Sequence, residues 1–259
     1  IYDPFFAAAR VCAILGYAVS LLGFSLHQLS VEDDQNWTIF RMSAEVDRIN
    51  AAYLEDVVLE KIREVADSHM ATILAMSKLA ESRDDETGRH IERTQELCRV
   101  LARTLREHPR YASAIDDAFI ENIYHAASLH DIGKVGIPDS ILLKPDMLSG
   151  EELTIIKRHP DIGADILKQL PPMARETEII RYHHERFDGK GYPAGISGEA
   201  IPLLSRIITL ADSYDAMTSD RPYRKGLPID RAIEEIMRCA GSQFDPTLAR
   251  TFIEKVIGA

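Results

Sequence analysis

Cysteine is scarce in this sequence of 259 residues, which has three, Cys12, Cys98 and Cys239, with no CxxC spacing among them. An odd and unclustered set argues against a disulfide-stapled scaffold and is typical of a reducing compartment. We therefore expect a cytoplasmic protein that folds around a hydrophobic core. The hydrophobic content of 46% is enough to supply such a core, which argues against a disordered chain.

Positive charge is also in deficit. The sequence has 30 Lys and Arg against 41 Asp and Glu, for a formal net charge of -11. Because binding to a nucleic-acid polymer needs concentrated positive charge, this balance argues against such a partner. A small anionic substrate stays compatible with the sequence, provided that basic residues or metal ions cluster locally.

A long hydrophobic run is missing as well. The mostly apolar run from Val11 to Leu26 has 16 residues, whereas a membrane span needs about 20. The start Ile1-Tyr2-Asp3-Pro4 has no basic residue and does not fit a signal peptide. We expect a buried or interfacial helix here, and the sequence leaves membrane association through residues 11–26 open.

Three regions are expected along the chain. Because Ile1 is not an initiator methionine, we interpret residues 1–50 as the N-terminal segment of a truncated sensory or regulatory region. Residues 51–80 have apolar positions every three or four residues among charged ones, which predicts a connecting amphipathic helix. The sequence favours a helix that packs on the next domain over a signalling helix that relays an upstream input. Whether the helix from Ala51 to Ala80 also pairs with a copy of itself stays open. Residues 81–259 are expected to form one domain.

No stretch of that domain alternates as a strand would, so we predict an all-α fold. Helices are predicted at residues 86–106 and 114–130, from a capping box at Ser149 to a break near Pro160, and at residues 173–186. Pro202, Pro228 and Pro246 are predicted to lie in the first turns of three further helices, where proline is tolerated.

Five of the nine histidines lie in segments dense in other metal-binding residue types. They are His90, His130, His159, His183 and His184. A lone helical histidine is usually structural, but this joint occurrence indicates a metal site. Glu86 precedes His90 by one helical turn, and His183-His184 inside the predicted helix are placed to serve adjacent ions. Asp212 follows an apolar stretch, where a carboxylate is costly unless it is a ligand. Such ligands suit Mn, Fe, Co or Zn.

At these residues the sequence resembles the HD-GYP family, the bacterial cyclic-dinucleotide phosphodiesterase branch of the HD superfamily. The resemblance runs from about Asp84 to Phe252. It is carried by seven blocks, namely Glu86 to His90, His130 to Pro138, His159 to Gly163, His183 to Pro193, Ala211 to Met217, Ser219 to Arg224, and Gly241 with Phe244 to Pro246.

The resemblance implies an HD-type helical bundle as the catalytic domain, at residues 81–259, behind a helical N-terminal segment. It also implies a centre of two divalent transition-metal ions, Fe or Mn, bridged by Asp131. The implied ligands are His90, His130, Asp131, His159, His183, His184 and Asp212. Glu86 resembles the glutamate that accompanies a third ion in some members, although a solvated acid at a helix start explains it too.

The implied reaction is the hydrolysis of cyclic di-GMP to linear pGpG, with GMP as the further product, through a metal-bridging hydroxide. Lys134 resembles the lysine that contacts the scissile phosphate, so Asp131 and Lys134 are the catalytic candidates. Tyr192 is expected near the nucleotide, and Asp215 is expected either behind a ligand or on the substrate side. Arg221 and Arg224 resemble positions that contact phosphate or guanine, although Arg224 reads equally well as a solvated charge.

Two alternatives stay open at this point. One is a phosphodiesterase for another cyclic dinucleotide, such as cyclic GMP-AMP. The other is a catalytically lapsed module that binds the dinucleotide and acts as a scaffold. The glycine-rich loop from Asp188 to Gly198 is expected beside the active site, where it is available for protein partners.

Overall fold

A computed structural model describes residues 10, 12–21, 34–81, 89–169, 174–220 and 225–258. Over these residues the chain is helical and has no strand, apart from an isolated bridge between Ala240 and Phe244. The predicted all-α class is confirmed. Glu86, Arg221 and Arg224, for which the sequence predicts functional roles, lie outside the described residues, as do the ends of the apolar run at 11–26.

The chain divides into two compact units, residues 1–70 and residues 71–259. Helix α1, Asp34–Glu81, is 48 residues long and starts before the helix predicted from the apolar pattern. Its large apolar side chains at Val58, Ile62 and Val65 are exposed. No helix within the described part of the chain is both long and apolar enough to span a bilayer.

Nine further helices are described in the second unit. They are α2 His90–Arg106, α3 Asp117–Leu129, α4 Asp139–Leu142, α5 Gly150–Ile156, α6 His159–Lys168, α7 Ala174–Arg181, α8 Leu203–Thr218, α9 Ile229–Arg238 and α10 Pro246–Phe252. A 3-10 turn, Ile132–Gly136, follows α3. Helices α2, α3, α8 and α10 enclose the core, where Leu101, Leu105, Ile123, Ile207 and Phe252 are fully buried.

Local sequence signals account for most helix starts. Ser149 and Glu152 form the predicted reciprocal capping box on α5. Pro246 is in the first turn of α10, but Pro202 and Pro228 are the residues just before α8 and α9. Helices α8 and α9 therefore begin one residue later than the sequence predicts, at Leu203 and Ile229.

Three predicted boundaries differ from those in the structure. The break after α5 lies at residues 157–158, and Pro160 belongs to the first turn of α6, where its missing N–H has no helical partner to lose. Helix α7 ends at Arg181, so His183 and His184 lie in a turn after it and not inside it. Helix α2 begins at His90, with Arg89 in a turn.

Asp245 links the start of α10 to the core, and its removal is expected to be costly. Its carboxylate accepts from the N–H groups of Thr247 and Leu248, and its Oδ2 lies 2.6 Å from Nη1 of Arg206, with the side chain of Asp245 buried and that of Arg206 10% exposed. We expect D245A to lower the free energy of unfolding by about 3–5 kcal/mol, because it leaves the Arg206 charge without its carboxylate. Urea denaturation measures this loss in the free energy of unfolding. The control is D230A, at an exposed position in the first turn of α9, which should change the free energy of unfolding by less than about 1 kcal/mol.

Candidate metal centre

Seven of the predicted ligands lie together in two groups. One group is Asp131, His159, His183 and His184, and the other is His90, His130 and Asp212. Within each group the ligand atoms all lie within 4.8 Å of one another. The structure therefore assembles both halves of the predicted two-ion centre from residues that are far apart in the sequence.

Helix ends bring most of these side chains together. His90 and His159 open α2 and α6, His130 and Asp131 follow α3, and the two adjacent histidines follow α7. The turn after α3 packs closely on α6, since a Cβ atom at Gly133 would lie 1.9 Å from the carbonyl oxygen of His159. A glycine is required at this contact, because no side chain fits between the two backbones.

Main-chain carbonyls fix the orientation of three ligand rings. The Nδ1 atoms of His130, His159 and His183 lie 2.8, 2.8 and 2.5 Å from carbonyl oxygens three residues upstream. Those oxygens belong to Ala127, Ile156 and Ile180. They are in the last turns of helices, where carbonyls have no helical partner. Because each carbonyl can only accept, Nδ1 carries the proton and Nε2 is left to act as the ligand.

His90 is oriented by a carboxylate instead. Its Nδ1 lies 2.6 Å from Oδ2 of the buried Asp215, and its Nε2 lies 3.3 Å from Oδ1 of Asp212. Arg93 donates to both oxygens of Asp215, at 2.5 and 2.9 Å. Burial raises the pKa of Asp215, but its hydrogen bonds from His90 and Arg93 outweigh burial and lower that pKa below its ordinary value. Asp215 thus lies behind a ligand, which is one of the two positions expected for it.

Asp131 faces both groups. Its Oδ1 lies 3.1 Å from Nε2 of His159, and its Oδ2 lies 3.4 Å from Nε2 of His130 and 2.8 Å from Nζ of Lys134. Burial raises the pKa of Asp131, but the charge of Lys134 and the neighbouring side chains of His130 and His159 outweigh burial and hold that pKa well below its ordinary value. One ionised carboxylate is therefore placed between two sets of imidazoles.

The chemistry of these donors fits metal ions. Oδ1 of Asp131 and Nε2 of His130 are buried and make no hydrogen bond, a condition that costs about 1–3 kcal/mol per group unless another partner is present. Burial lowers the pKa of His183 well below its ordinary value and that of His184 to about 3, so both rings are neutral. Neutral imidazoles and ionised carboxylates are the forms that bind divalent transition metals.

A loop covers one side of the centre. The ring of Tyr192 stacks on His184, with centroids 4.8 Å apart, and Nζ of Lys157 lies 5.4 Å from the Tyr192 centroid. Oε1 of the buried Glu185 accepts the N–H groups of Ala194 and Gly195, at 2.6 and 2.9 Å. Glu185 therefore ties the predicted glycine-rich loop to the turn that carries His183 and His184.

The structure is thus an all-helical domain with two groups of histidine and aspartate side chains that can hold metal ions, and Asp131 of one group lies close to His130 of the other. Residues 74–248 match the family model described as an HD domain, and the chain belongs to the HD domain family. The more specific resemblance, to the HD-GYP branch, is confirmed by cyclic di-GMP phosphodiesterase relatives that are 36–45% identical to this chain.

Among these relatives is a cyclic di-GMP phosphodiesterase of Vibrio cholerae, 45% identical over 215 residues, which cover 79% of this chain and 44% of that protein. Another is a 3'3'-cGAMP-specific phosphodiesterase 2 of the same organism, 37% identical over 183 residues, covering 69% and 33%. An HDG"Y"P protein from Bdellovibrio bacteriovorus has the same fold, with a TM-score of 0.51 and 22% identity, covering 66% of this chain and 52% of that one. The chain thus spans about half or less of the length of these proteins.

Proposed function

We propose that this chain contains the catalytic part of a metal-dependent phosphodiesterase that hydrolyses cyclic di-GMP to linear pGpG, with GMP as the further product. The observation that carries the proposal is the position of Asp131 between the two histidine groups, with Lys134 hydrogen-bonded to it. The relatives named as cyclic di-GMP phosphodiesterases support the choice of substrate.

Two ions, one at each group, would be held by the seven residues named above, with Asp131 shared between them. Bound ions would supply an activated water and Lewis-acid contact with a phosphate oxygen. The carboxylate of Asp131 orients the Lys134 ammonium beside this position, 2.8 Å away. A fixed positive charge there stabilises the negative charge that develops on the phosphate oxygens in the transition state.

The substrate side of the proposal depends on three side chains. Tyr192, stacked on His184 at the edge of the centre, supports a contact with the nucleotide. Arg221 and Arg224 remain predicted contacts to phosphate or guanine, since both lie outside the described residues. Asp215 is assigned to the support of His90 and not to the substrate, because its two oxygens already contact His90 and Arg93.

The test is turnover of cyclic di-GMP by protein loaded anaerobically with Fe or Mn, the two metals proposed for this centre, with products separated by chromatography. Formation of pGpG is the expected result. Tight binding of the dinucleotide without product would favour the lapsed binding module, and absence of both would refute the proposal. Anomalous scattering at the Fe and Mn edges would count the ions and test whether Glu86 holds a third.

Cyclic GMP-AMP is the second candidate substrate. It is favoured by one observation, the 37% identity to a relative named as specific for 3'3'-cGAMP. Kinetics on the two dinucleotides, measured side by side with one metal-loaded preparation, would decide between them. A higher kcat/KM for cyclic di-GMP is expected.

Three further proposals concern the surroundings of the enzyme. The exposed apolar side chains of α1 at Val58, Ile62 and Val65 support a homodimer through residues 51–80, which light scattering would detect. The loop 188–198, which has exposed positions beside the centre, is proposed for protein contacts. The three free cysteines support a cytoplasmic location.

A further inference from the structure

His90 differs from His130, His159 and His183 in the group that orients its ring. The rings of His130, His159 and His183 rely on main-chain oxygens in the helices that precede them in the chain. His90 is the first residue of α2, and Nδ1 of its ring has a side-chain partner. Its Nδ1 instead contacts Asp215, which comes from α8. The orientation of this ring therefore depends on a side chain that has rotational freedom of its own.

Arg93 removes that freedom. Its Nε and Nη2 atoms donate to Oδ1 and Oδ2 of Asp215, a two-pronged geometry that fixes the plane of the carboxylate. Nη2 also lies 2.8 Å from Oγ of Ser219, which holds the guanidinium in place. Arg93 is one helical turn after His90 on the same helix, so the guanidinium that holds Asp215 and the candidate ligand His90 belong to one rigid element.

We propose that Arg93 is a positioning residue that acts through Asp215 on His90 and sets the affinity of the ion bound by His90, His130 and Asp212. This inference rests on the metal centre of the proposed function, but not on the identity of its substrate. A carboxylate behind a metal-binding histidine fixes the ring and raises its basicity, and loss of such support typically weakens metal binding about 10–100-fold.

The effect is confined to one ion. The other group, Asp131, His159, His183 and His184, makes no contact with Arg93 or Asp215 in the hydrogen bonds and ion pairs of the described residues. Two of its rings are oriented by main-chain carbonyls, which the substitution leaves unchanged. Loss of Arg93 should thus create a difference in affinity between two sites that share Asp131.

The experiment is a titration of metal-free protein with Mn²⁺, followed by calorimetry and by metal analysis after dialysis. For R93M we expect one site to keep its wild-type affinity and the other to weaken about 10–100-fold. R93K, which keeps the charge but not the two-pronged geometry, should recover part of the loss. D215N should reproduce the R93M pattern, and D212N, which removes a ligand of the same group, identifies the weakened site.

A matched control is available on the same helix. The side chain of Arg99 is 37% exposed, as is that of Arg93, but its carboxylate partner is Glu96 on the surface. R99M should therefore bind both ions like the wild type. Circular dichroism of each variant checks that the helices are retained, and R93K provides a reading if R93M does not fold.

A second readout separates support of His90 from contact with the substrate. With excess Mn²⁺, R93M should regain most of the wild-type kcat, because only the affinity for one ion has changed. A raised KM for cyclic di-GMP with unchanged Mn²⁺ binding would overturn the proposal and make Arg93 a substrate contact. Equal weakening of both ions, or the same loss in R99M, would also overturn it. Wild-type protein that binds two ions but does not turn over cyclic di-GMP would refute the proposed function alone.

Discussion

D131N is expected to lower kcat/KM for cyclic di-GMP about 1,000-fold or more, which is about 4 kcal/mol of the barrier. Asparagine keeps the size of the side chain but has one oxygen and no charge. The amide nitrogen of asparagine would take the place of one of the two present oxygens. It would then face either Nε2 of His159, which lies 3.1 Å from Oδ1, or the Lys134 ammonium, which lies 2.8 Å from Oδ2. Both ions would lose their shared ligand, so metal analysis after dialysis should show reduced content.

The control for this substitution is D146N, which makes the same chemical change at an exposed position. It should leave both activity and metal content unchanged. If D131N kept two tightly bound ions and most of its activity, Asp131 would not be the shared ligand. The bridging arrangement inferred from its two oxygens would then be wrong.

K134M is expected to lower kcat about 100–1,000-fold while metal content stays near the wild-type level. Removing one group that stabilises charge in the transition state typically costs this much. Methionine keeps much of the length of the lysine side chain, which is largely buried, but removes the ammonium that lies 2.8 Å from Asp131. Single-turnover kinetics with saturating substrate would isolate the chemical step.

Two results would contradict this role for Lys134. An unchanged kcat with a higher KM would show that Lys134 binds the substrate equally in the ground and transition states. Loss of metal in K134M would show that its charge supports Asp131 instead. K168M, at an exposed position of α6, should behave as the wild type.

The seven residues of the two candidate metal groups could be predicted from the sequence, because histidine and aspartate in those blocks have a specific chemistry and match the pattern of a known family. The helix around His183 could not, because its end is fixed by a distant contact. Oγ1 of Thr209 on α8 donates to the carbonyl oxygen of His183, 2.5 Å away, and so holds the turn after α7. Periodicity of apolar residues carries no information about such a contact.

Arg93 and Glu185 were missed for a related reason. In the sequence each is a charged residue in a helical or polar segment, where solvated charges are common. Their roles appear when α8 brings Asp215 to Arg93 and when the loop brings the N–H groups of Ala194 and Gly195 to Glu185. The spacing of Arg93, one turn after His90, was the one signal available in the sequence.

The group that accepts a hydrogen bond from Nδ1 of each histidine, here called its anchor, has a consequence for natural variation. A main-chain oxygen is present whichever amino acid occupies the position, so mutation of Ala127, Ile156 or Ile180 cannot delete the anchor itself. Asp215, in contrast, can be erased by a single codon change. Genetic drift can therefore change the metal affinity of the group that contains His90 while the other three anchors stay intact.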